Sequence, residues 1–166
     1  MKFGIIKERK NPPDRRVVFT PEELVRLQSE HPEAEIKVES SDIRIFSDDQ
    51  YRNLGLNVTA EMSDCDVLFG VKEVPVDALI PNKKYFFFSH TIKKQPYNRK
   101  LLKAILDKNI ELYDHETIVD ATNHRLIGFG RYAGLVGAYN GFRGFGIKYD
   151  LFTLPKAETL SGKEDL

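Results

Sequence analysis

The strongest constraint on the fold is an alternation. Short apolar runs recur along the chain with amphipathic helical stretches between them, the pattern of βαβ units wound into a mostly parallel sheet. Residues 2–6, 35–39, 67–70, 84–89, 110–113 and 126–129 are the predicted strands. Thr20-Pro21-Glu22-Glu23 opens a helix: the threonine can cap it, proline suits its first position, and the acids face the positive end of its dipole. His31-Pro32 ends it. A second helix is predicted from Pro96 to Lys108, with Leu101, Leu102, Ile105 and Leu106 on one face and basic residues on the other.

These elements predict a three-layer α/β domain, Rossmann-like or flavodoxin-like, with helices on both faces of the sheet. It spans residues 1–155, and the polar stretch 156–166 reads as a linker toward a further domain. A chain of 166 residues is long enough to bury roughly 70% of its unfolded surface without staples. Between Arg131 and Lys148 lie five glycines, each costing a helix about 1 kcal/mol relative to alanine. Gly130, Gly134, Gly137 and Gly141 recur at three- and four-residue spacing, which predicts a helix with a bare face, buried against the sheet or a partner domain.

Composition excludes several function classes. Lys plus Arg total 25 and Asp plus Glu total 25, so no bulk field draws the protein to nucleic acid or a membrane surface. Cys65 sits between Asp64 and Asp66, where carboxylates oppose thiolate formation, and it is expected to be a bystander. One cysteine cannot form an internal disulfide, which fits a reducing compartment. The apolar run at the N-terminus is too short for a signal peptide, and no stretch approaches the roughly 20 apolar residues of a membrane span. A soluble, cytoplasmic protein is expected. His31, His90, His115 and His124 are scattered without zinc-ligand spacing, so no metal is expected.

Three constellations carry chemistry. Lys7-Glu8-Arg9-Lys10 and Asp14-Arg15-Arg16 follow the first strand, where arginine can clamp a carboxylate bidentately. Gly70-Val71-Lys72-Glu73 follows the third, leaving a partly desolvated lysine beside a carboxylate. Ser89-His90-Thr91-Ile92-Lys93 follows three aromatics at the end of the fourth, where an imidazole can shuttle protons. Singly, each has a bland reading: a solvated charged loop, a surface lysine, a structural histidine. All three, however, occupy the carboxyl ends of strands, whose loops converge in open α/β sheets, and together they predict one cleft. Gly128-Phe129-Gly130-Arg131-Tyr132-Ala133 matches a dinucleotide fingerprint, with Asp150 about twenty residues on. That acid lies beyond a long glycine-spotted helix instead of ending the next strand, so the match is treated as a decoy.

The segment from Lys7-Glu8-Arg9-Lys10 through Asp14-Arg15-Arg16-Val17-Val18-Phe19-Thr20-Pro21 resembles the amino-terminal signature of alanine dehydrogenase, proton-translocating transhydrogenase and lysine-forming saccharopine dehydrogenase. Val71-Lys72-Glu73-Val74-Pro75 resembles that group's lysine motif and Phe88-Ser89-His90 its histidine motif, so the resemblance covers essentially the whole chain. Phe87-Phe88-Ser89-His90-Thr91-Ile92-Lys93-Lys94-Gln95 and Phe129-Gly130-Arg131-Tyr132-Ala133-Gly134 are more similar to the saccharopine dehydrogenase and lysine-ketoglutarate reductase branch than to alanine dehydrogenases, which carry apolar residues after the histidine.

The resemblance implies an NAD(P)-dependent oxidoreductase of lysine metabolism acting on the CH–NH group of an amino acid, of which this chain is the substrate-binding half. It makes Lys72 and His90 the acid–base pair and Arg16 a substrate-carboxylate ligand with Arg15 as neighbour. Lys93 would hold a further carboxylate, and Glu73 and Glu116 would tune the pair. It places NAD or NADP on a C-terminal nucleotide-binding domain absent from this sequence. The chain alone is then expected to bind no cofactor and to be inactive, and no cofactor-binding residue is assigned. A homo-oligomer is compatible with this reading. The alternatives are an alanine dehydrogenase N-terminal domain, a stand-alone amino-acid-binding module without redox activity, and a small nucleotide-binding domain using Gly128 and Gly130.

Overall fold

A computed structural model describes residues 1–165. The chain divides into two compact units, Met1–Leu126 and Ile127–Leu166. The first holds strands β1 (Lys2–Ile5), β2 (Glu35–Glu39), β3 (Asn57–Thr59), β4 (Val67–Lys72), β5 (Lys84–Phe88) and β6 (Glu111–Asp114), with helices α1 (Pro21–Glu30), α2 (Asp48–Arg52) and α3 (Arg99–Asp107). The strands form one sheet in the order β3-β2-β1-β4-β5-β6, and every pairing is parallel. This is the expected Rossmann-like α/β fold. Strand order reverses between β1 and β4, where connections leave in opposite directions and open a crevice beyond the carboxyl ends.

Local chemistry sets the helices. Thr20 and Glu23 form a reciprocal capping box, with the Glu23 amide donating to Thr20 Oγ1 at 3.3 Å and the Thr20 amide to Glu23 Oε2 at 2.8 Å. Ser47 and Gln50 repeat the device at α2. α2 and β3 are absent from the sequence prediction. β3 is a three-residue edge strand with one large apolar side chain, Val58, too short for a period-2 signal and specified by its pairing with Lys37–Glu39.

Alternate residues of the strands feed two cores. Ile5, Ile36 and Val38 pack with Leu24, Tyr51 and Leu56 under α1 and α2, whereas Leu68, Tyr85 and Phe87 pack with Leu101, Ala104 and Ile105 under α3. α3 starts one turn later than predicted, after a 3₁₀ turn at Pro96–Asn98, and its inward face corrects the expected one. Leu101, Ala104 and Ile105, spaced i, i+3, i+4, are buried; Leu102 and Leu106 are 42% and 72% exposed.

The second unit carries α4 (Gly130–Tyr149) and two 3₁₀ turns. Its tail folds back along the helix: Tyr139 Oη donates to the Pro155 carbonyl at 3.1 Å and Arg143 Nε to that of Leu154 at 3.0 Å. One expectation fails in this region. The strand over 126–129 does not form, and before the helix the described residues make a single antiparallel bridge between Val119 and Arg125. Along α4, at Gly130, Gly134, Gly137, Gly141 and Gly144, an added Cβ would meet nothing within 4 Å among the described residues, so the bare face stays open to a close neighbour. Among the described residues no helix is long and apolar enough to cross a membrane.

Two measurements test this architecture. Leu68 is fully buried in an interior strand, so Leu68→Ala is expected to cost about 2–5 kcal/mol of unfolding free energy in a urea titration. On the surface, Lys37 and Lys2 hydrogen-bond Asp64 and bring its carboxyl from 3.8 to about 2. The folded state therefore releases this proton more readily than the unfolded chain. Its stabilisation is complete above the ordinary value and disappears as pH falls through about 2. Asp64→Asn is expected to be less stable than the parent near neutral pH, with the gap closing in acid and shrinking with salt because the Asp64 and Lys2 side chains lie open to solvent.

Candidate active site

The carboxyl end of β4 is irregular. Phe69 pairs with Phe86 and Lys72 with Phe88, so β4 carries one residue more than β5 and bulges at Gly70–Val71. The site is crowded at Gly70, where an added Cβ would stand 3.1 Å from two side-chain carbons of Ile6. Beyond the bulge, Lys72 Nζ lies 5.6 Å from the centroid of the buried Phe88 ring.

His90 follows β5 and stacks against the same ring, with centroids 6.3 Å apart and planes 20° from parallel. Its backbone is left-handed, with φ of 58°, and its carbonyl accepts from Asn98 Nδ2 at 3.0 Å. His90 Nδ1 lies 3.0 Å from Glu116 Oε2. Glu116 would accept a proton donated from Nδ1, whereas Lys93 Nζ, 3.2 Å from the same nitrogen, would donate to its lone pair, so the two neighbours pull the imidazole toward different tautomers. Lys93 Nζ reaches Glu116 Oε1 at 3.1 Å, and an Arg125 guanidinium nitrogen reaches the same oxygen at 3.4 Å. Burial works to raise the Glu116 carboxyl, but the hydrogen bonds from His90 and Lys93 outweigh it and hold the group below its ordinary value.

Glu73 shows the same contest. Burial pushes it up, the Lys10 ammonium at 2.9 Å pulls it down, and the charge of His90 adds to the pull, so the net direction is down. One of its oxygens, Oε2, is buried without a hydrogen-bond partner among the described residues. Arg16 pairs with Asp14 through Nε at 2.8 Å and through a terminal nitrogen. That pair lowers the Asp14 carboxyl and raises the Arg16 guanidinium, and Lys72 also lowers Asp14 electrostatically. Arg15 is exposed, and its carbonyl accepts from the Ile45 amide at 2.8 Å.

Thus Lys72 and His90 flank Phe88, with Glu116 and Lys93 on the imidazole and Glu73 within its electrostatic reach. Arg16 with Asp14 lies within electrostatic reach of Lys72 and Glu8, and Arg15 points to solvent on the same loop. An ammonium and an imidazole flanking one ring, with further cations at the rim, suit proton transfer on a substrate carrying carboxylates.

Sequence reasoning missed four participants. Glu8 accepts from the Val71 amide at 2.7 Å and the Lys72 amide at 2.9 Å. Buried His115 lies with Nε2 3.1 Å from the Gly70 carbonyl and packs edge-on to Phe88 at 5.0 Å. Asp114 accepts from Ser89 Oγ and from the Glu116 amide, and Arg125 pairs with Glu116. The rule that drew attention to the first, third and fourth predicted strands, applied to the run at 110–113, would have reached Asp114, His115 and Glu116 as well.

Elsewhere, burial first and Asp64 second raise the Cys65 thiol, so desolvation dominates the neighbouring acids that motivated its dismissal. The glycine fingerprint at Gly128 lacks the strand that a dinucleotide turn requires, and α4 begins at Gly130 itself.

Comparison with known proteins identifies the family and the fold. Residues 4–136 match the family described as "Alanine dehydrogenase/PNT, N-terminal domain". An alpha-aminoadipic semialdehyde synthase of Arabidopsis thaliana is 35% identical over 147 residues, covering 86% of this chain and 14% of the relative. A saccharopine dehydrogenase [NAD(+), L-lysine-forming] of Yarrowia lipolytica is 29% identical over 133 residues, covering 77% and 35%. The chain therefore spans well under half the length of these relatives. Among solved structures, an L-alanine dehydrogenase superposes with a TM-score of 0.59 at 21% identity, covering 75% of this chain and 35% of that one. A transhydrogenase from Sinorhizobium meliloti gives 0.57 at 17% identity, covering 70% and 35%, and at these identities both show the fold alone. By sequence match and by architecture, the chain belongs to the alanine dehydrogenase/PNT N-terminal domain family.

Proposed function

We propose that this chain is the substrate-binding and catalytic domain of an NAD(P)-dependent amino-acid dehydrogenase of the lysine-forming saccharopine dehydrogenase, or lysine-ketoglutarate reductase, type. The observation that carries the reading is the meeting of Lys72 and His90 at the Phe88 ring, with Glu73 and Glu116 beside them. The matches to an alpha-aminoadipic semialdehyde synthase and to lysine-forming saccharopine dehydrogenases support the branch over alanine dehydrogenase.

In this reading Lys72 takes the proton of the substrate amine. His90, oriented through Nδ1 by Glu116, moves protons at Nε2 as the carbinolamine forms and collapses. Arg16, with Arg15 beside it, receives a substrate carboxylate, and Lys93 receives another. Glu73 and Glu116 set the local field. The glycine-rich candidate at Gly128 lacks the strand that a dinucleotide turn requires, and this reading assigns the nicotinamide and its hydride chemistry to a C-terminal partner domain. The cleft supplies binding, orientation and proton transfer.

The test is steady-state turnover of the full gene product. NADH or NADPH oxidation is expected with lysine and 2-oxoglutarate together, and Lys72→Met is expected to lower kcat about 10²- to 10⁴-fold. Undiminished turnover in Lys72→Met would remove that lysine from the mechanism, and turnover with pyruvate and ammonia alone would move the protein to the alanine branch. Calorimetric binding of saccharopine by a full gene product without redox turnover would make it a binding module.

A further inference from the structure

Bulges redirect the side chain that follows them, and they strand backbone groups that the ladder would otherwise pair. At the end of β4 those groups are met by two side chains from other strand ends. Glu8, after β1, accepts the Val71 and Lys72 amides with one oxygen each, at 2.7 and 2.9 Å. His115, after β6, donates from Nε2 to the Gly70 carbonyl at 3.1 Å. Glu8 and His115 are only 7% and 5% exposed. His115 also lies edge-on to Phe88, 5.0 Å between centroids, the same ring that Lys72 Nζ overhangs.

We infer that Glu8 and His115 are positioning residues that grip the β4 bulge from its two sides and so hold the Lys72 ammonium over Phe88 beside His90. Neither is placed to react. Both oxygens of Glu8 are engaged by backbone amides, and a carboxylate accepting two adjacent amides is a charge-assisted, geometrically strict contact. His115 spends Nε2 on the carbonyl, and its Nδ1 is buried without a hydrogen-bond partner among the described residues. The inference rests on the reading of Lys72 as the group that takes the amine proton.

Three variants test the grip. Glu8→Gln sets an amide donor against one of two backbone donors; His115→Leu removes the contact to Gly70; His115→Gln restores an N–H at nearly the same reach. In the full gene product assayed with lysine, 2-oxoglutarate and NAD(P)H, Glu8→Gln and His115→Leu are expected to lower kcat about 10²-fold, the scale of a misplacement near 1 Å. KM for both substrates should stay within about threefold, because the loss is confined to the transition state. His115→Gln should recover most of the rate. A readout independent of activity uses this chain alone: the ¹⁵N amide resonances of Val71 and Lys72 should move together with pH as Glu8 titrates, and stay flat in Glu8→Gln.

Folded Glu8→Gln and His115→Leu proteins with parental kcat would overturn the inference, as would a kcat loss that His115→Gln fails to recover or amides that do not titrate together in the parent. Should Glu8→Gln not fold, the histidine pair and the parental titration still decide. Lys72→Met separates the two levels: turnover surviving that change defeats the functional reading itself, whereas its loss beside fast Glu8→Gln and His115→Leu defeats only the grip.

Discussion

β1 and β4 run side by side in register, Phe3 with Val67, Gly4 with Leu68 and Ile5 with Phe69, and this pairing joins the two halves of the sheet. It depends on Gly4: a Cβ there would stand 2.7 Å from Leu68 Cδ2 and about as close to the sulfurs of Met62 and Cys65. The absence of a side chain lets Leu68 close the core under α3 while Ile5 enters the core under α1 and α2. Where the paired strands end, the chain departs to opposite sides, and the segment carrying Glu8 and Arg16 comes to lie against the segment carrying Lys72. The hydrogen bonds from Val71 and Lys72 to Glu8 continue that seam beyond the ladder, with a side chain in place of a backbone.

Charge at the site is balanced locally. Asp14 answers Arg16, Glu73 answers Lys10, and Glu116 answers His90, Lys93 and Arg125 together. A chain with equal numbers of acids and bases can therefore build a concentrated polar site without a long-range field. The burial that would neutralise Glu73 and Glu116 is overcome in both by a specific cation, so the site's acids depend on neighbours more than on exposure.

What was legible in the sequence follows from how far each signal reaches. β1, β2, β4, β5, β6 and α1 are announced by local apolar runs and by Thr20-Pro21, and the convergence of loops at strand ends pointed to Lys72 and His90. β3 was not legible, because Asn57–Thr59 becomes a strand only through its partner, and the 126–129 run lacks a partner and stays out of the sheet. The inward face of α3 was misjudged because Leu102 and Leu106 are apolar yet one position off the i, i+3, i+4 stripe. Glu8 and His115 were illegible for a different reason. Their partners are backbone groups freed by a bulge 63 and 45 residues away in sequence, and a bulge has no residue pattern of its own beyond a glycine.

The arginine after β1 already holds the carboxylate of Asp14. An acid arriving at Arg16 would therefore meet a guanidinium whose Nε edge is already engaged by a resident anion two residues away on the same loop. That anion offsets much of the arginine's charge as seen from a distance, so the incoming group gains little from long-range attraction and must be held by the remaining N–H donors at close range. Occupancy at this arginine is accordingly governed by fit, meaning the incoming group's reach and second contacts, and far less by the attraction of opposite charges across solvent.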